Sequence, residues 1–148
     1  EIEHDFLDRA YDHLSHLPKI SILGRRHQKG LGVLAVVIEG VHHNLATALL
    51  NDYFGLQVRA GCMCAGPYGH ELLGIDRLVS EKIIDQLRHG QAMQKPGWVR
   101  ISFSPVTSEE DFRTLMEGLD FVAHRSEEAV RQYKVQENTG EFVYHGED

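Results

Sequence analysis

Six consecutive apolar residues, Val33 to Ile38, constrain this chain more than any other stretch. The run is short, rich in β-branched side chains and closed by Glu39-Gly40. That reads as a central strand covered on at least one face. A second strand, Trp98 to Phe103, alternates cleanly. Val99, Ile101 and Phe103 take its inward face, while Trp98, Arg100 and Ser102 take the other. Ile20 to Leu23 is a short third strand. Leu56 to Arg59 is a fourth, with Leu56 and Val58 on one face and Gln57 and Arg59 on the other.

Helical spacing fills the intervals between the strands. Ile2, Phe6, Ala10, Leu14 and Leu17 form one apolar face, stopped by Pro18. From Asn44, residues Leu45, Ala48, Leu49 and Tyr53 form another, with Gly55 placed as a C-terminal glycine. Asp76 caps a helix carrying Val79, Ile83, Ile84 and Leu87 up to Gly90. After Pro105, a Thr107–Glu110 capping box opens a helix with the stripe Phe112, Leu115, Met116, Leu119 and Val122. The order implies an α+β fold: a small mixed or antiparallel sheet with helices mainly on one face. Residues 1–125 carry this pattern and 126–148 form a polar C-terminal extension. Within the extension, Val130 and Tyr133 are expected to prolong the last helix, and Glu141 to Tyr144 to add an edge strand.

A net charge of −7 argues against a nucleic-acid partner. No apolar run reaches the ~20 residues of a membrane span, and no signal peptide is visible. Two cysteines are no secreted disulfide framework, so a reduced cytoplasmic setting is expected. The start at Glu1, without methionine, suggests a piece of a longer protein.

Both cysteines, Cys62 and Cys64, fall in residues 58–73 among Ala60, Gly61, Ala65, Gly66, Pro67 and Gly69. Such a segment makes a poor core and is suited to presenting a thiol. Two other readings stay open on the residues alone. The cysteines can be small buried hydrophobes, or Cys62, Cys64 and His70 can bind a metal, although no fourth ligand stands nearby. His4, His13 and His16 read as solvated. So does the basic turn from Gly24 to Gly30, which holds His27. His42 and His43 read as residues around a helix start.

Arg59, Gly61, Cys64, Ala65 and Pro67 match an R-x-G-x-x-C-A-x-P pattern. The loop resembles that of the class V aminotransferase superfamily, in its cysteine desulfurase and selenocysteine lyase branch. Residues from about Leu17 to Arg125 resemble the C-terminal small domain of fold-type-I pyridoxal phosphate enzymes. The resemblance implies that Cys64 is the catalytic sulfur acceptor and that Arg100, with Arg59, binds the carboxylate of a small amino-acid substrate. Cys62 and His70 become auxiliary groups, and no metal is implied. Pyridoxal phosphate needs a Schiff-base lysine, which the family places after a histidine. None of Lys19, Lys29, Lys82, Lys95 and Lys134 follows one. No residue of this chain is therefore assigned to the cofactor. The implied enzyme takes pyridoxal phosphate from a missing N-terminal domain, is a homodimer and hands sulfur to an acceptor protein. Alone, this chain is expected to be inactive.

Two features depart from the family pattern. Cys62 and Met63 stand where the family has histidines, and a helix at about 77–89 separates Cys64 from Arg100. The rival readings are a class V lyase or aminotransferase for another amino acid with a non-catalytic cysteine, and a stand-alone sulfur-carrier or interaction module.

Overall fold

A computed structural model describes residues 2–24, 32–61 and 66–146. The chain opens with α1 (Ile2–Leu14), β1 (Ile20–Ile22), β2 (Val33–Ile38) and α2 (His43–Phe54). There follow β3 (Arg59–Gly61), α3 (Gly66–Leu72), α4 (Arg77–Arg88), β4 (Trp98–Ser102) and α5 (Glu109–Ala129), and β5 (Tyr133–Gln136) and β6 (Glu141–Tyr144) complete it. The first four strands form one sheet in the order β1-β2-β4-β3, antiparallel at every junction. This is the expected α+β architecture, with the Val33–Ile38 run in a central position.

The period of two along β2 and β4 divides the sheet. Leu34, Val36, Ile38, Val99, Ile101 and Phe103 are buried in one core with Phe6, Ala10 and Leu14 of α1. Leu45 and Leu49 of α2 and Phe112, Leu115, Met116, Leu119 and Val122 of α5 complete it. Arg9 of α1 grips the Glu109 carboxylate with two hydrogen bonds (2.7 and 2.8 Å), and its guanidinium lies over the Phe112 ring. α2 ends as expected at Gly55, whose φ of +67° is the left-handed conformation that glycine adopts without a Cβ penalty. Asp76 caps α4 by accepting the Val79 N–H at 2.9 Å.

Several boundaries differ from the expected ones. Residues 56–58 do not enter the ladder, so β3 begins at Arg59 rather than Leu56. A groove of about 400 Å³ opens there, between Leu56 and Val58 on one side and Ser102, Phe103 and Thr107 on the other. Residues 66–72, expected as part of the cysteine loop, form helix α3. Pro67 is in its first turn, where a missing N–H costs no hydrogen bond. The Gly74 and Ile75 N–H groups donate back to Glu71 and His70 and close its C-terminus.

The capping box of α5 is Ser108 with Asp111, one residue later than expected. Thr107 is engaged elsewhere, accepting the Ser104 N–H at 3.0 Å. The polar extension contributes Ala129 and Tyr133 to the core. Tyr133 begins β5 instead of prolonging the helix, and β5 pairs with β6 from Tyr133↔Tyr144 to Gln136↔Glu141 as a separate two-stranded sheet, so the expected strand forms but does not edge the main sheet. Among the described residues no helix is long and apolar enough to cross a membrane.

Candidate functional site

The two arginines singled out from the sequence are brought together by register. In the β3–β4 ladder Arg59 is the partner of Arg100, with Ala60 opposite Val99 and Gly61 opposite Trp98. Direct cross-strand partners project from the same face with Cβ atoms about 4.5–5.5 Å apart. Val99 is in the core, so Arg59 and Arg100 share the opposite face of the sheet with Trp98. Like charges directly opposite one another destabilise a strand pair. Neither arginine makes a hydrogen bond or ion pair with another described residue, and the Arg100 Nε is buried without a partner. A buried guanidinium N–H without an acceptor is costly. An anion between the two side chains would relieve both costs.

The root of the cysteine loop is fixed beside this pair. Gly61 is the last described residue before position 66, so Cys62 and Cys64 lie outside the described residues. On the far side, His70 of α3 is half-buried, and its Nδ1 is 2.7 Å from the Ser80 Oγ of α4. That contact ties α3 to α4. Among the described residues no three potential metal ligands of the His, Cys, Asp and Glu types gather together.

Behind Gly61 lies Gly97, the residue immediately before β4. Gly97 abuts Gly61 so closely that a Cβ at 97 would fall 2.6 Å from the Gly61 Cα and 2.9 Å from the His43 Cε1. A glycine immediately before an alternating strand was the available signal, since such a glycine often marks the close approach of another backbone. His43 is stacked on His42 with ring centroids 4.1 Å apart. His42 caps α2, its Nδ1 accepting the Asn44 N–H at 3.1 Å, which agrees with the helix-start reading of the pair. Burial lowers the pKa of both imidazoles. For His43, with the added influence of His42 and Lys95, it falls to about 4. His4, His13 and His16, expected to be solvated, are exposed, His13 meeting Asp120 at 3.0 Å. His27 and the basic turn lie outside the described residues. The groove beside β3 is lined by neither arginine.

Fold and sequence together define the class. Residues 1–115 match the family model for aminotransferase class V, and the chain belongs to that family. A probable cysteine desulfurase of Vibrio cholerae serotype O1 is 34% identical over 114 residues, covering 76% of this chain and 22% of that protein. The apo structure of a cysteine desulfurase from Thermococcus onnurineus NA1 superposes with a TM-score of 0.61 at 26% identity, covering 82% of this chain and 25% of that one. The cysteine desulfurase CsdA (S-sulfonic acid) from Escherichia coli shares the fold, with a TM-score of 0.58 at 24% identity over 86% of this chain and 25% of that one. The chain thus spans about a quarter of the length of these relatives.

Proposed function

We propose that this chain is the small domain of a pyridoxal-phosphate-dependent cysteine desulfurase, in which Cys64 accepts sulfur and Arg100 with Arg59 holds the substrate carboxylate. The observation that carries the reading is the arginine pair: Arg59 and Arg100 stand opposite one another across β3 and β4, without an acceptor among the described residues, and β3 leads directly into the cysteine loop. The kinship with cysteine desulfurases supports the sulfur chemistry.

Class V aminotransferases and cysteine desulfurases depend on pyridoxal phosphate, which supplies an electron sink when bound. The described lysines do not fit that group. Lys19, Lys82, Lys95 and Lys134 are all exposed, and none stands in a cleft ready to form a Schiff base. In this reading the cofactor belongs to a large domain outside these residues.

The chain's own residues have two tasks. The arginines fix a carboxylate by charge-assisted hydrogen bonds, Arg100 with a fork that matches both oxygens. Cys64 acts as a thiolate, formed from a thiol whose free pKa is about 8.5; a guanidinium brought near it would favour that form. It takes the sulfur of L-cysteine, leaving L-alanine and a persulfide on Cys64, so that every atom of substrate and thiol is accounted for. Cys62 and His70 are auxiliary to this step. The parent is then a cytoplasmic homodimer that passes its persulfide sulfur to an acceptor protein.

The test is alanine release from L-cysteine by the full-length gene product. Cys64→Ala should lower the rate at least ~100-fold. Arg100→Ala should raise KM about 10- to 100-fold, the loss expected for a charge-assisted bidentate pair. Alanine formation that persists in the Cys64→Ala protein would remove the acceptor role. A parent that binds pyridoxal phosphate yet releases no alanine would move the reading to another amino acid.

A further inference from the structure

Gly97 has no left-handed φ, so its requirement is for space rather than for backbone freedom. A Cβ there would come within 2.6 Å of the Gly61 Cα, 2.7 Å of the Gly61 carbonyl carbon and 2.9 Å of the His43 Cε1. Two of these three atoms are backbone, so no rotamer change can make room.

The sheet decides which strand yields to such an intrusion. β4 is held from the other side by β2 through four residue pairs, Val33↔Ser102 to Val36↔Val99. β3 has three pairs in all and is an edge strand. An atom added at position 97 therefore displaces β3. Gly61 is only two residues from Arg59, and a three-residue strand is too short to absorb the shift. Arg100 stays in place, since its other neighbour is Ala35 of the central β2.

We propose that Gly97 is a positioning residue for the arginine pair: its missing side chain lets Gly61 seat against it, and that seat places Arg59 at the spacing from Arg100 at which both guanidiniums address one carboxylate. The proposal rests on the reading of the pair as a carboxylate site. It adds that the distance between the arginines is set at the residue just before β4, three positions from Arg100. A residue with no functional group thereby controls affinity.

The experiment follows the side-chain Nε–Hε signals of Arg59 and Arg100 by NMR in the 148-residue chain, assigned through R59K and R100K. Acetate at constant ionic strength is the probe. In the wild-type chain both signals should follow one binding isotherm. In Gly97→Ala the Arg100 signal should still respond, with an affinity at least five-fold weaker, and the Arg59 signal should no longer track it. A Gly97→Ala chain that keeps the coupled response at unchanged affinity overturns the positioning role and leaves the carboxylate site standing. A wild-type chain in which neither signal moves removes the carboxylate reading of the pair, and this proposal with it. If Gly97→Ala does not fold, the double variant His43→Ala/Gly97→Ala relieves the imidazole contact while keeping the Gly61 contact, and should show the same uncoupling. Failure of both variants to fold would assign Gly97 to folding and overturn the positioning role.

Discussion

Two imidazoles stacked at the start of α2 make stability depend on pH in a definite direction. His43 is buried and its pKa lies at about 4, against an ordinary value of about 6.5. Between those values the unfolded chain binds the proton and the folded chain does not, so stability falls as pH drops through that window. A difference of about 2.5 units corresponds to ~3 kcal/mol, lost progressively from about pH 6.5 to 4. His43→Leu keeps an apolar side chain in the site and removes the titration. Urea unfolding from pH 7 to 4 should show the wild type losing ~3 kcal/mol more than this variant. Parallel curves would mean that His43 does not carry the effect. At the same scale, the outward placement of Arg59 and Arg100 was legible from strand alternation. Their opposition across β3 and β4 was not, because register is fixed by partners far apart in sequence and leaves no local signature.

Where elements begin and end, local competition between similar residues decides what a sequence reveals. Thr107-x-x-Glu110 and Ser108-x-x-Asp111 both satisfy the capping-box pattern. The turn after Pro105 breaks the tie by engaging Thr107 with the Ser104 N–H, which leaves Ser108 to cap α5. Ser108→Ala should therefore cost about 1 kcal/mol in chemical denaturation, while Glu110→Ala should leave the midpoint nearly unchanged. The reverse ranking would restore Thr107 as the cap. The late start of β3 has a similar cause: residues 56–58 have the alternation of a strand, but alternation reports facing, not pairing. α3 escaped notice because glycine and proline signal loops, and only the position of Pro67 in a first turn makes them compatible with a helix.

Across the whole molecule, composition and tertiary packing disagree about residues 126–148. They are charged and weakly patterned, yet the β5–β6 hairpin is tied to α2 at several points. Tyr133 is buried and its hydroxyl donates to Asp52 at 2.8 Å, while the Tyr53 hydroxyl donates to Gln132 at 2.6 Å. Asn44 donates to the Gly140 carbonyl at 2.8 Å, and the Phe142 ring lies 5.7 Å from that of His42. Burial of Tyr133 alone is worth roughly 2 kcal/mol, and net hydrogen bonds add about 1 kcal/mol each. Against a total stability of about 5–15 kcal/mol, the hairpin is a substantial share. It is also anchored to the residues at the start of α2, among which His43 backs Gly97. A chain ending at Arg125 should thus melt at least ~10 °C lower than the 148-residue chain, or without a cooperative transition. Its Trp98 fluorescence, the signal of the single tryptophan on the arginine face, should shift toward that of an exposed indole. If the shortened chain instead melts within about 2 °C of the longer one with unchanged fluorescence, the hairpin is an appendage and residues 1–125 are the folding unit. If it does not, the unit that holds the two arginines together includes the hairpin, and the polar composition of residues 126–148 conceals a structural element.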